Sequence, residues 1–324
     1  MSGRYIVTGG AGFIGSNIVA ALNERGEEDI LVVDHLGQSE KWRNLVGLKF
    51  ADYREKDDFR AAVQFDRLDA VEAVFHMGAC SSTTESNASY LADNNYRYTR
   101  ELCEWCLEHG ARFIYASSGA TYGDGSQGYS DDDETTLRLK PLNMYGFSKH
   151  MFDLWALRRG LFDQIVGLKF FNVFGPREDH KGDMRSVVNK AFHQIMEAGE
   201  ARLFRSYRLD YKDGEQVRDF VYVKDAVNVA LWFADHPNVS GLFNCGTGRG
   251  RTWNDLVRAV FAAVGKPAKI AYVDMPDYLQ GKYQYHTVAD VAKLRSAGYR
   301  EPFMELEGAV RDYVQSWLLP LRKI

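Results

Sequence analysis

The chain has 324 residues, 45% of them hydrophobic, enough for a sizeable core and for one large or two ordinary domains. A formal net charge of −4, with acids and bases mixed and no long single-sign block, excludes a global basic field that would recruit nucleic acid. No apolar run reaches the roughly 18 residues of a membrane helix, and MSGRYIVTGG enters a strand pattern at once, leaving no room for a signal peptide; a cytoplasmic protein that binds neither nucleic acid nor membrane is expected.

In chain order, RYIVTGG (4–10) reads as a strand, GFIGSNIVAALNERG as a helix and DILVVDHL (29–36) as a second strand. AVEAVFHMG (70–78) is a third strand. Helix NNYRYTRELCEWCLEHG follows, then a fourth strand, ARFIYASS (111–118). Helix SKHMFDLWALRRG precedes strand QIVGLKFFNVFG (164–175). This alternation predicts an α/β fold: a Rossmann-type, doubly wound parallel sheet with crossover helices over 1–175. The rhythm loosens afterwards. A helix (SVVNKAFHQIMEAG), a hairpin through Asp213-Gly214, and strand and helix patterns in VRDFVYVKDAVNVALWFA and GLFNCGTG come next. Thr252 opens a capping-box-like helix start, and strand KIAYVDMP and two helices finish the chain. Residues 176–324 are expected to form mainly a smaller α/β substrate-binding lobe that lends some segments back to the first sheet. The four cysteines are no disulfide scaffold. Cys103-x-x-Cys106 lies in an amphipathic helix without a partner motif, so packing rather than zinc or redox chemistry is expected, and no metal site.

Gly9, Gly12 and Gly15 follow the first strand and open the first helix. In that context glycines allow a tight turn and let backbone N–H groups approach a pyrophosphate, with a helix N-terminus facing the phosphates. Asp34 ends the second strand, where an acid meets a ribose 2′-hydroxyl and favours NAD. Lys41 and Arg43 follow closely, and a cation there pairs a 2′-phosphate, which favours NADP. NADP is the expected cofactor, with NAD left open. Tyr145 and Lys149 are four apart on a helical pattern and share a face. An adjacent ammonium is expected to lower the tyrosine pKa from near 10 and suit it to accept a proton as hydride leaves for nicotinamide. Ser118, ending the fourth strand, is placed to hydrogen-bond the same substrate oxygen. Lys181, in GPREDHKGDM, reads from spacing alone as a solvated loop lysine.

The glycine triplet, the serine-ended strand and the Tyr/Lys pair resemble the extended short-chain dehydrogenase/reductases that act on nucleotide sugars. HMGACSSTTE, DNNY, YASSGATYG, FFNVFGPREDHKG, RDFVYVKDAV, FNCGTGR and GKYQ occur in order over nearly the whole chain. Within that family they resemble the 6-epimerases of ADP-glycero-manno-heptose. The resemblance implies inversion of C6 of ADP-D-glycero-D-manno-heptose by transient oxidation and re-reduction with bound NADP, for lipopolysaccharide inner-core precursors, in a homo-oligomer. A proton must leave one face of the sugar and return to the other, so the resemblance makes Tyr145 and Lys181 a pair of acid/bases. It implies that Phe13, Ile14, Asp34, His35, Lys41, Lys56, Met77, Gly78, Ala79, Cys80, Ser81, Asn94 and Val173 line the cofactor. Lys149 is expected to position the nicotinamide ribose. Asn172, His180, Asp183, Lys190, Phe204, Arg218 and Tyr283 are expected at the substrate. His35 stands where the family has Asn, Met77 where it has Glu, and Asp183 and Lys190 where it has Ser and His. Segment 205–217 is longer than the family's equivalent. A hexose 4-epimerase would share Ser118 and Tyr145 but has no evident need of Lys181. A 4,6-dehydratase wants Asp-Glu where this chain has Gly119-Ala120. A non-enzymatic NADP-binding protein usually lacks the tyrosine or the lysine, and both are present.

Overall fold

Strands that are apolar at every position need cover on both faces. The computed structural model, which describes residues 5–276 and 283–322, supplies it. β1 (Tyr5–Thr8), β2 (Ile30–Asp34), β3 (Asp52–Glu55), β4 (Ala73–His76), β5 (Arg112–Ser118) and β6 (Val166–Phe170) lie parallel. β7 (Asn172–Phe174), β8 (Ala201–Phe204) and β9 (Val217–Tyr222) come next, then β10 (Gly241–Cys245), β11 (Gly250–Thr252), β12 (Ile270–Val273) and β13 (His286–Thr287). The main sheet runs β10-β6-β5-β4-β1-β2-β3. Alternate side chains part to opposite faces: Tyr5, Val7, Ile30 and Val32 join one core, Ile6, Leu31 and Val33 the other. Helices Phe13–Glu24 and Val223–Asp235 cover the first face; Lys56–Gln64, Tyr98–Glu108 and Met144–Arg158 cover the second. Strand order reverses between β1 and β4, and an open α/β sheet binds ligands at the carboxyl ends of strands beside such a switch point.

Two expectations change and one strand is added. The strand read over 164–175 breaks at Phe171. β6 stays in the main sheet, with β10 beyond it at the edge, whereas β7 pairs with β9 in a second sheet that also holds β11 and β13. No hairpin forms at Asp213-Gly214, because β8 pairs with β12 and β9 lies in the other sheet. Instead Gly214 (φ 72°) docks on the helix Trp253–Ala263, its carbonyl accepting from the Asn254 N–H at 3.0 Å. Finally, β3 (DYRE) has no apolar signature, since it is the partly solvated edge of the sheet. The Thr252–Asp255 capping box is present. Cys103 and Cys106 are buried, free thiols, and the described residues contain no metal-binding cluster and no helix long and apolar enough to cross a membrane. Of the GKYQ motif, Gly281 and Lys282 lie outside the described residues, as does Arg4 of the first strand reading.

Candidate functional site

A cleft of about 610 Å³ opens at the carboxyl ends of β1, β2, β4, β5 and β6. Its floor is the glycine turn. Gly9 has φ 65°, and a Cβ there would sit 2.7 Å from the Gly78 nitrogen; a Cβ on Gly15 would sit 2.1 Å from the Gly9 carbonyl. Only glycine permits so tight a turn against both the helix and the β4 loop. No side chain caps helix Phe13–Glu24 at its start, so its first N–H groups are open to an anion. Asp34 anchors the far side: its carboxylate accepts from the Ala11 N–H at 2.9 Å and the His35 N–H at 2.7 Å and pairs with Lys41 at 2.6 Å. The cradle suits a dinucleotide: the glycine turn could hold a pyrophosphate, and Asp34 and Lys41 a ribose.

The second wall comes from helix Met144–Arg158. Asn143 caps it by accepting from the Gly146 N–H at 2.8 Å. A Cβ on Gly146 would lie 2.7 Å from the Ala120 carbonyl, so the residue lets the helix start seat tightly on the turn after Ser118. Tyr145, Lys149 and Ser118 then share the cleft. Ser118 Oγ accepts from the Ala120 N–H at 3.1 Å. That leaves its own proton to give toward Tyr145, whose pKa it tends to lower. The expected depression of the tyrosine by Lys149 does not occur. Burial dominates and pushes the phenol above its ordinary range, the Ser118 hydrogen bond opposing it. Lys149, 4% exposed, is itself pulled down to about 8 by burial, against the charge of Asp153.

Behind these groups lies a fully buried layer the sequence reading did not name. Asp153 accepts from the Tyr115 hydroxyl and from Ser117 Oγ, each at 2.7 Å, and pairs with Lys169 at 3.3 Å. Lys169 also donates to Thr121 Oγ1 at 2.8 Å. A lone lysine within the apolar run QIVGLKFF was the available signal, because a charge in a doubly covered strand requires a buried partner. Asn95, from DNNY, bonds both backbone groups of Cys80 and donates to Ser148 Oγ, tying the β4 loop to the tyrosine helix. His76 bonds Thr8 at 2.7 Å and Thr99 at 2.9 Å, and burial holds it neutral, at about 3.

Lys181 and His180 reach the same cleft from segment 175–186. Burial lowers the lysine pKa, Glu178 counters, and Lys190 adds to the lowering. Its ammonium lies 5.1 Å from the centre of the Phe13 ring. Glu178, wholly buried, accepts from both the N–H and the hydroxyl of Ser186 at 2.6 Å, closing the loop on itself.

The named residues fall into two groups. Gly9, Gly12, Phe13, Ile14, Gly15, Asp34, His35, Lys41 and Lys56 line the cleft, with Met77 to Ser81, Asn94, Val173, Ser118, Tyr145, Lys149, His180 and Lys181. Met184, Tyr90 and Phe171 line it too and had not been named. Asn172, Asp183, Lys190, Phe204, Arg218 and Tyr283 do not line it. Three of them meet elsewhere: Arg218, 6% exposed, stacks on Trp253 and Tyr283 at 5.5 and 5.1 Å, and Phe204 packs edge-on against Tyr283. Asn172 and Asp183 are exposed, and Lys190 is half-buried on helix Val187–Ala198.

Residues 5–246 match the model of the NAD dependent epimerase/dehydratase family. The ADP-L-glycero-D-manno-heptose-6-epimerase of Nitratidesulfovibrio vulgaris is 60% identical over 315 residues, covering 97% of this chain and 98% of that one. The enzyme of the same name from Fusobacterium nucleatum is 47% identical over 97% of both. Among solved structures, ADP-L-glycero-D-manno-heptose-6-epimerase from Helicobacter pylori is similar with a TM-score of 0.82 and 29% identity, over 96% of this chain and 95% of that one. The UDP-glucose 4-epimerase of Thermotoga maritima, also 29% identical, has a TM-score of 0.80 over 98% and 99%. With the dinucleotide cradle and the Ser118–Tyr145–Lys149 wall in one cleft, the chain belongs to the NAD dependent epimerase/dehydratase family.

Proposed function

We propose that this protein inverts C6 of ADP-D-glycero-D-manno-heptose to give ADP-L-glycero-D-manno-heptose, by transient oxidation and re-reduction. The observation that carries the reading is that Tyr145 and Lys181, from separate segments, line one cleft beside the dinucleotide cradle. It is supported by relatives of that activity at 60% and 47% identity over nearly the full chain. When bound, a nicotinamide cofactor would supply the hydride acceptor and donor for C6. Ser118 hydrogen-bonds the reacting oxygen, and Tyr145 exchanges its proton in one orientation of the sugar. Lys181 does the same after the sugar has turned. Arg218, the residue the resemblance assigns to the diphosphate, lies outside this cleft with its guanidinium donating to the Val217 and Gln284 carbonyls, and would have to release them to offer its planar fork.

NADP is the cofactor of this reading. Lys41 offsets the Asp34 carboxylate that would otherwise repel a 2′-phosphate. Residues 1–175 form the cofactor lobe and 176–324 mainly the substrate lobe, with β10 and helix Val223–Asp235 returning to the first sheet. The same reading makes the protein a cytoplasmic homo-oligomer in lipopolysaccharide inner-core precursor synthesis. The test is incubation with ADP-D-glycero-D-manno-heptose, without added reductant, followed by NMR of C6. A mixture of C6 epimers without stoichiometric NADPH is expected. No conversion by folded, cofactor-loaded protein would overturn the heptose assignment and direct the search to hexose nucleotides.

A further inference from the structure

Asn44 sits in the short helical turn Glu40–Leu45 that also carries Lys41, and it is 8% exposed. Its side-chain nitrogen lies 2.9 Å from the Ala11 carbonyl, 3.0 Å from the Arg177 carbonyl and 3.0 Å from His180 Nδ1. Carbonyl oxygens only accept, so the amide presents nitrogen rather than oxygen to all three, its two protons shared among them. A proton on Nδ1 would then face a second donor with nothing to receive it. The imidazole proton of neutral His180 therefore belongs on Nε2, and among the described residues no hydrogen bond occupies that nitrogen. The clasp runs in both directions, because the Arg177 guanidinium donates back to the Asn44 carbonyl. It joins the loop to the cofactor cradle: Ala11 is in the glycine turn, and its N–H holds Asp34, the partner of Lys41.

We infer that Asn44 is a positioning residue: it fixes the His180 proton on Nε2, making that nitrogen a donor for an oxygen of the bound sugar nucleotide, and it clasps the His180–Lys181 loop to the glycine turn. The surroundings agree. Burial, Lys41 and Lys181 lower the His180 pKa to about 4, while Asp34 and Asp179 act in the other direction. The part played in turnover rests on the epimerase reading; the tautomer does not.

The experiment uses the protein with its bound cofactor and labelled with nitrogen-15 histidine. Two-bond proton–nitrogen correlations are recorded over about pH 5.5 to 8, and His180 is assigned by its loss in His180→Gln. A protonated Nε2 and a bare Nδ1 throughout that range are expected. A protonated Nδ1, or a ring that charges with an ordinary histidine midpoint, overturns the proposal whether or not the protein is an epimerase. In Asn44→Asp the carboxylate accepts instead of donating, and His180 is expected to gain a proton on Nδ1. Turnover is expected to fall about 10-fold to 100-fold with KM nearly unchanged, the range that misplacement of a group near the chemistry produces. An Asn44→Asp variant with the wild-type histidine pattern or wild-type turnover contradicts the positioning role. If that variant fails to fold, the wild-type spectrum still decides the tautomer.

Discussion

Tyr145 and Lys181 face one cleft from two kinds of support. Tyr145 stands on the first turn of a regular helix, capped by Asn143 and seated by Gly146. Backbone periodicity sets its angle to Lys149. Lys181 stands on a segment with irregular dihedrals, including φ 72° at Arg177 and φ 54° at Gly182. Two local backbone bonds, from the Lys181 N–H to Glu178 and from the Arg185 N–H to Gly182, turn that loop, and side chains tie it down: Glu178 closes it onto Ser186, Asn44 clasps it to the glycine turn, and Asn189 donates to Asp179 at 2.9 Å. A helix loses little when one contact is removed, whereas a loop held by a few buried polar groups depends on each of them.

The sharpest way to break the comparison is to remove the two groups themselves. Tyr145→Phe and Lys181→Ala are each expected to slow epimerisation by about 10²–10⁴-fold, the usual worth of a general acid/base, with cofactor binding kept. Initial rates and cofactor titration measure this, and wild-type rates in either variant remove that residue from the pair. Removing the supports separates the regions more finely. Glu178→Ala strands the Ser186 donors and is expected to cost about 1–3 kcal/mol in urea unfolding and to lower turnover. Asn143→Ala removes only a helix cap, expected at about 1 kcal/mol with a smaller loss of turnover. Equal turnover losses would erase the distinction between helix and loop.

Lys41→Ala bears on the cofactor end. It is expected to weaken NADP by roughly tenfold, about 1.4 kcal/mol, and NAD much less, as fluorescence titration would show. Equal weakening of both would assign Lys41 to the Asp34 pair alone. The smallest effect is a slope. Lys149 is held down to about 8, below its ordinary 10.5, so between those values the unfolded chain binds the extra proton. Its contribution to stability therefore rises with pH across that window. Urea titrations of wild type and Lys149→Met should diverge there, and parallel curves would place the lysine in a more polar setting.

The same contrast explains what was legible in the sequence. The parallel sheet, the glycine turn at Gly9 and the end of β2 at Asp34 follow from local periodicity and turn chemistry, and the structure has them. Tyr145 and Lys149 were readable as a pair because a helix converts spacing into a shared face. Their electrostatics were not, since burial, which spacing does not report, pushes the phenol up. The break at Phe171 and the docked Asp213-Gly214 turn depend on partners far along the chain, which local patterns do not contain. Asn44 and Glu178 sit in charged stretches that look solvated, and only the packing of loop on turn buries them.

In the proposed reaction one hydride leaves C6 and returns to it while protons pass through two groups. The direct test is ADP-D-glycero-D-manno-heptose carrying deuterium at C6, incubated with the cofactor-loaded protein and read by NMR. Deuterium retained at C6 in both epimers, with no release of reduced cofactor, is the predicted result. Epimers formed with deuterium lost to solvent would mean that C6 is deprotonated rather than oxidised, and would contradict the account.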